Sequence, residues 1–257
     1  MSLLDAALAA AIGVAAGVLS GLFGVGGGIV MTPGIQLLLG TSGIVALATP
    51  LPVILPTAVA GALAYRRAGS IDVRAAGWMI AGGLPTSALG AVLTEVVETP
   101  LLLLVTAALL AWQAVGILRG ARRSVAPRRA RPWTAGAFVL VGVVAGLVSG
   151  LLGIGGGIVI VPLLVGWLGM PLKRALGTSL AAIVGMVVPG TVVHAVLGNV
   201  DWALTVALVA GAVPGARLGA RIALGTAERT LRILVGVFMA LVAISYAARQ
   251  VADLVGG

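Results

Sequence analysis

The sequence contains no cysteine, one histidine (His194) and one lysine (Lys173). Without cysteine there are no disulfides, thiolate metal sites or thiol chemistry. Charge is scarce too: 9% of the 257 residues are Asp, Glu, Lys or Arg, against about 25% in a soluble domain. No polar stretch is long enough for a water-soluble domain, and the few acidic residues are scattered. Clustered carboxylates, histidines or a metal site, the usual equipment of an enzyme, are missing from the pattern. No cofactor or metal site is expected.

Apolar residues fill what is left. They make up 60% of the chain, and the mean hydropathy is +1.20, which reads as an all-α integral membrane protein. The net charge of +9 comes from short basic clusters between apolar segments. That placement is topology signalling by the positive-inside rule and not a nucleic-acid surface. Met1–Asp5 lacks a basic start, so the N-terminus reads as the beginning of a helix and not as a cleaved signal.

One stretch occurs twice. Gly21-Leu-Phe-Gly-Val-Gly26-Gly27-Gly28-Ile-Val-Met-Thr-Pro33 returns as Gly150-Leu-Leu-Gly-Ile-Gly155-Gly156-Gly157-Ile-Val-Ile-Val-Pro162, a shift of 129 positions. Of the seventeen residues Gly17–Pro33, eleven are identical to their counterparts. The match continues through Thr49 and Thr178, Gly61 and Gly190, Asp72 and Asp201, and Pro85 and Pro214. Duplicated halves with a break at the same place are the plan of many secondary transporters.

The chain divides into a first membrane repeat (1–118), a basic linker (119–132) and a second membrane repeat (133–257). In the first repeat, spans are expected at Leu3–Phe23, Ile44–Tyr65, Val73–Thr94 and Pro100–Leu118. A short apolar piece, Gly28–Gly40, follows the glycine break. The second repeat predicts spans at Trp133–Leu152, Ala175–Leu197, Trp202–Leu224 and from Glu228 to Ala248, with its short piece ending near Gly169. That is about eight long spans plus two short glycine-broken segments. Counting each break as a hairpin gives five helical elements per half and makes the halves inverted. With the 119–132 linker in the cytoplasm, this count puts Arg66, Arg67, Arg74, Lys173, Arg174, Arg217, Arg221, Arg229 and Arg232 on the cytoplasmic side, and only Arg249 is misplaced. Basic residues in one half also face neutral ones at matched positions in the other: Arg66 and Arg67 pair with Ala195 and Val196, and Lys173 and Arg174 with Ile44 and Val45.

The breaks carry the chemistry. Lipid cannot satisfy exposed backbone groups, so a break must be buried in protein or line a polar cavity. The amides of Gly26, Gly27, Gly28 and of Gly155, Gly156, Gly157 would stand at helix N-termini, which bind anions. Pro33 and Pro162 mark the helix break in each half. Thr49, Thr178 and Ser179, with Ser20, Thr32 and Ser149, add hydroxyls. For Gly17 and Gly21, close helix packing is the simpler reading; for the three-glycine runs, a ligand site is. His194, Asp72 and Asp201 are the candidates for proton coupling. Structurally, the aspartates read as N-caps and His194 as an interfacial or packing residue.

The doubled G-L-[FL]-G-[VI]-G-G-G-I-V-x-x-P motif, in a small helical protein of two halves, resembles the sulfite exporter TauE/SafE family, also called the toluene sulfonate uptake permease family. Gly198-Asn-Val-Asp201-Trp and Pro214-Gly-Ala-Arg217-Leu-Gly are similar to it in style. The resemblance implies transport of small sulfur-containing anions such as sulfite, sulfonates or sulfoacetate. The expectation is a secondary transporter that works by alternating access, with the anion held at the two breaks. Its partners would be that small anion and the lipid bilayer, with no nucleic acid. The Ala/Gly/Val/Arg bias suggests a GC-rich bacterial genome, hence a bacterial cytoplasmic (inner) membrane. The alternatives are a passive anion channel and a membrane-embedded enzyme.

Overall fold

A computed structural model describes residues 2–94 and 134–234, together with the isolated positions 96, 97, 108, 115, 236, 237, 240, 241 and 244. Apart from those isolated positions, the expected span Pro100–Leu118, the 119–132 linker and the part of the last span beyond Leu234 lie outside the described residues. So do Glu95, Glu98, Gln113 and Arg249.

The described residues are helical throughout and contain no strand. The first half holds α1 (Leu3–Phe23), α2 (Gly28–Leu38), α3 (Gly43–Ala48), α4 (Pro50–Arg67) and α5 (Val73–Leu93). The second holds α6 (Ala135–Leu152), α7 (Gly157–Pro162), a π-helical continuation over Leu163–Trp167, α8 (Leu172–Val196) and α9 (Trp202–Gly225). Six helices among the described residues are long and apolar enough to cross a membrane, with Gly43–Arg67 counted as one. The shorter Gly28–Leu38 and Gly157–Trp167 are apolar as well, as the glycine-broken pieces were expected to be.

The helix boundaries follow from local chemistry. Ser2 and Asp5 exchange hydrogen bonds in a capping box at the start of α1. Asp72, Thr134 and Asp201 cap α5, α6 and α9 by accepting from the amides of Ala75, Ala137 and Leu204. At the other end, α1 and α6 stop at Gly24 and Gly153, which take left-handed φ values of 68° and 64°.

Lipid gives little hydrophobic drive for helix association, so helices must approach closely through small residues. Gly13, Gly17 and Gly21 of α1 lie against the backbone of Leu208, Ala212 and Ala216 of α9. Gly142, Gly146 and Gly150 of α6 lie in the same way against Met79, Gly83 and Ser87 of α5. The second set is the first shifted by 129, with the halves exchanged. Added methyl groups would strike backbone carbonyls at all six glycines.

These contacts also give directions. Residue numbers rise together along α1 and α9, and along α6 and α5. They rise together along α5 and α8 (Asp72 with Thr178, Ile80 with Gly185, Gly83 with Met186). Along α4 and α8 they oppose: Tyr65 meets Gly177, Gly61 meets Leu180, and Leu51 meets Gly190. The bond of the Asp201 amide to Thr49 near the start of both helices, and the groove that Leu55–Leu63 share with Val213 and Arg217 further along, set α4 parallel to α9. Hence α1, α4 and α9 run one way and α5, α6 and α8 the other. The matched helices α1 and α6, α4 and α8, and α5 and α9 point in opposite directions.

The C-terminal ends of α4 and α9 therefore share one end of the molecule with the N-terminal ends of α5 and α8. Two basic side chains tie that end together: Arg174 Nη2 pairs with Asp72 Oδ2 at 2.8 Å, and Lys173 Nζ donates to the Leu224 carbonyl at 2.6 Å. Large apolar side chains such as Leu3, Leu140, Val196 and Val206 face outward, as a lipid-facing surface requires.

Candidate functional site

Each break is a short run of left-handed glycines between two helices. Gly24, Gly26 and Gly27 have φ of 68°, 87° and 91°; Gly153, Gly155 and Gly156 have 64°, 81° and 73°. No other residue type enters this region without strain. After the turn, α2 doubles back along α1, so that Gly27 lies near Ala16 and Gly34 near Ile12.

The turn leaves backbone donors open. The amides of Gly24 and Gly153 bond the carbonyls of Ser20 and Ser149 at 2.8 and 3.0 Å. The next five amides in each half, Val25–Ile29 and Ile154–Ile158, have no hydrogen-bond acceptor among the described residues. All are buried. An unmet buried donor costs about 1–3 kcal/mol, so two such clusters are a large investment in polarity at the centre of an apolar fold.

The carbonyls nearby are treated differently. Tyr65 Oη donates to Gly21 O at 2.9 Å, and Ser179 Oγ donates to Gly24 O at 2.7 Å. Beside the second break, the Thr94 hydroxyl has its nearest acceptor in its own helix, Gly90 O at 3.1 Å, with Leu151 O at 3.2 Å and Gly150 O at 3.4 Å sharing its one proton. The carbonyls of Gly27 and Gly156 accept the first bonds of α2 and α7. The carbonyls of Gly21, Gly24, Gly27 and Gly156 thus have donors, those of Val25, Gly26, Gly153, Ile154 and Gly155 have none among the described residues, and the open amides stand at helix N-termini, where negative charge is favoured. The hydroxyls of Ser20, Thr32 and Ser149 are also buried without a partner among the described residues. Ser149 is close to the break, with its Cβ 3.3 Å from where a methyl on Gly156 would stand.

The two breaks meet. A methyl on Gly28 would fall 2.7 Å from the Gly153 carbonyl, and one on Gly157 2.5 Å from the Gly24 carbonyl. Over both lie two matched isoleucines. Ile54 of α4 is 3.1 Å from the Cβ positions of Gly26 and Gly28 and 3.2 Å from that of Gly155. Ile183 of α8 is 2.9 Å from that of Gly157, 3.5 Å from Gly155 and 3.7 Å from Gly26. Among the described residues no Asp, Glu, Lys or Arg is buried, and no three His, Cys, Asp or Glu are grouped as metal ligands.

The glycines singled out by sequence thus come together from both halves, and Thr49, Thr178 and Ser179 make hydrogen bonds to backbone groups. Thr178 Oγ1 accepts from the Asp72 amide at 2.9 Å, and Thr49 Oγ1 from the Asp201 amide at 3.2 Å. Each threonine follows by two residues a leucine packed on a break: Leu176 on Gly24, and Leu47 on Gly153. Ser179 uses its proton on Gly24 O. Asp72 and Asp201 cap helices. His194 is buried in α8, with Nδ1 3.5 Å from Asn199 Nδ2. Pro33 lies within α2, and Pro162 closes α7, where the missing amide precedes the π-helical turn. Tyr65, Thr94, Ile54 and Ile183 were not picked out by sequence as site residues. The only signal was the shift itself, which pairs Tyr65 with His194 and Ile54 with Ile183.

Six apolar helices and two buried helix breaks facing each other across matched halves define a multi-pass membrane protein. Comparison with known proteins makes this specific. The profile of the sulfite exporter TauE/SafE family matches residues 9–246, and the chain belongs to that family, whose members are membrane transporters. It is 28% identical to the "Probable membrane transporter protein YunE" of Bacillus subtilis (strain 168), over 90% of this chain and 93% of the relative. It is 30% identical to a "Probable membrane transporter protein" of Xylella fastidiosa (strain Temecula1 / ATCC 700964), over 91% of this chain and 92% of that one. No solved structure matches.

Proposed function

We propose that this transporter moves a small sulfur-containing oxyanion, a sulfite, sulfonate or sulfoacetate-like anion, across the bacterial cytoplasmic membrane. The observation that carries the reading is the two runs of open amides, Val25–Ile29 and Ile154–Ile158, beside which Tyr65 and Ser179 cover the Gly21 and Gly24 carbonyls. The anion is held by these amides, with Ser20 and Ser149 close at hand. Dehydrating an oxyanion is costly, and pre-aimed donors replace its water. Sulfur enters from the family, whose name is that of a sulfite exporter.

The halves act as inverted repeats that rock around the paired breaks. The opposite directions of α1 and α6, α4 and α8, and α5 and α9 support this. So does the gathering of Arg66, Arg67, Lys173, Arg174 and Arg221 toward one end, which the positive-inside rule assigns to the cytoplasm. Matched contacts that can exchange between halves are what alternating access requires.

Flux of labelled sulfite in proteoliposomes tests the reading. A carrier shows saturable uptake and is accelerated by unlabelled anion on the far side. Flux without counterflow would make the protein a channel. No flux of any sulfur oxyanion would overturn the substrate class.

A further inference from the structure

A second feature lies away from the breaks. Between α4 and α9 runs an open groove of ≈ 420 Å³, walled by Leu55, Pro56, Val59 and Leu63 on one side and by Val213 and Arg217 on the other. Each wall has a proline inside its helix, Pro56 in α4 and Pro214 in α9, where the backbone lacks one hydrogen bond. The wall faces outward; Val59 is 38% exposed and Leu63 43%.

Arg217 is the one charged side chain of the groove. It stands eight residues before Gly225, the end of α9, which is about 12 Å inside the helix end at 1.5 Å per residue. A guanidinium at that depth is costly unless it snorkels or meets an anion. The protein supplies none. Neither α4 nor α9 contains an acidic residue. The two acidic residues described at this end are already paired, Asp72 with Arg174 and Glu228 with Arg232. Arg66, Arg67, Arg217 and Arg221 thus have no carboxylate partner among the described residues. At the matched position in the other half stands Ala88, so only this groove carries the cation.

We propose that the α4–α9 groove binds an anionic phospholipid, with one acyl chain along Leu55, Val59, Leu63 and Val213 and the headgroup phosphate on Arg217. Planar guanidinium groups bind phosphate through paired hydrogen bonds, and the surplus of arginines at this end favours a lipid of net negative charge over a zwitterionic one. The phosphate neutralises Arg217 at its depth, and the chain fills the groove between the two helices. This assignment is independent of what the paired breaks carry.

Native mass spectrometry of the purified protein, titrated with phosphatidylglycerol or with phosphatidylcholine of the same chains, tests it. The wild type is expected to hold at least one phosphatidylglycerol at a lipid concentration where phosphatidylcholine is not retained. Arg217→Gln removes that adduct while Arg66 and Arg67 remain. Val59→Trp fills the groove and removes it with every arginine in place. Both positions are exposed, and a melting curve without added lipid verifies that each variant is folded. Equal retention of the two lipids would overturn the proposal, as would an adduct that survives both substitutions. A wild-type dimer dissociated by Val59→Trp would make the groove a subunit interface and overturn it too.

Discussion

The hydroxyl of Ser179 donates to the carbonyl oxygen of Gly24 at 2.7 Å, across 155 positions of sequence. This bond covers the carbonyl of the residue that ends α1, one residue before the open amides begin. Replacing Ser179 by alanine leaves that carbonyl buried and bare. The expected loss is about 1–3 kcal/mol of stability, read from the denaturation midpoint. Anion binding should weaken as well, because an uncovered acceptor then faces the site. Unchanged stability and unchanged binding would mean that the bond has no part in setting the polarity of the break.

Glycine positions should divide sharply by what lies beside them. In Gly21→Ala the new methyl meets the Ala216 carbonyl and lies 2.6 Å from the Ala220 amide. Separating α1 from α9 is expected to cost at least the 1–3 kcal/mol typical of overpacking, about that much or more. Gly77→Ala places its methyl where nothing lies within 4 Å, and removing a helical glycine should stabilise by about 0.4–1 kcal/mol. Thermal melting of the two variants side by side checks the pair.

Ile54 and Ile183 cover both breaks, so they should set the size of what passes. Ile54→Ala or Ile183→Ala is expected to raise flux of an aryl sulfonate relative to sulfite, at a stability cost of about 2–5 kcal/mol. A competition assay in proteoliposomes reads the ratio. An equal fall for both anions would make these side chains packing alone.

The absence of cysteine turns single substitutions into clean reporters of topology. Ser70 and Asn199 occupy matched positions at the starts of α5 and α9. Inverted halves put Ser70→Cys and Asn199→Cys on opposite sides of the membrane, where a membrane-impermeant thiol reagent reaches one from the cytoplasm and the other from outside. Labelling of both from the same side would make the halves parallel.

Much of this was legible in the sequence. Apolar runs of about 20 residues can only be spans in lipid, and α1, α5, α6 and α9 fall within two or three residues of the expected limits. The glycine runs were legible because only glycine tolerates consecutive left-handed turns, and Asp72 and Asp201 because an aspartate before an apolar run is a cap. What sequence could not give was contact at a distance. The bond of Tyr65 to Gly21 spans 44 positions and that of Thr94 to Gly150 spans 56. Neither tyrosine nor threonine at a helix end announces which carbonyl it will find. Ser179 is expected as a hydroxyl of the site, and its donation to the Gly24 carbonyl, 155 positions away, is a pairing that composition does not reveal. Arg217 was visible as a charge, but its groove lies between two helices that are far apart in the chain.

The proposal that the two facing clusters of open amides hold an anion is tested most directly by ligand-dependent melting. Sulfite, an alkyl sulfonate, sulfate, phosphate and chloride, each as the sodium and potassium salt at matched ionic strength, should be compared on the purified protein. A sulfur oxyanion at a hundred times its dissociation constant should stabilise the fold by about 2.7 kcal/mol, whichever cation accompanies it, and Gly27→Ala with Gly156→Ala should abolish the shift. Stabilisation that follows the cation, or none with any anion, would contradict the assignment of the paired breaks.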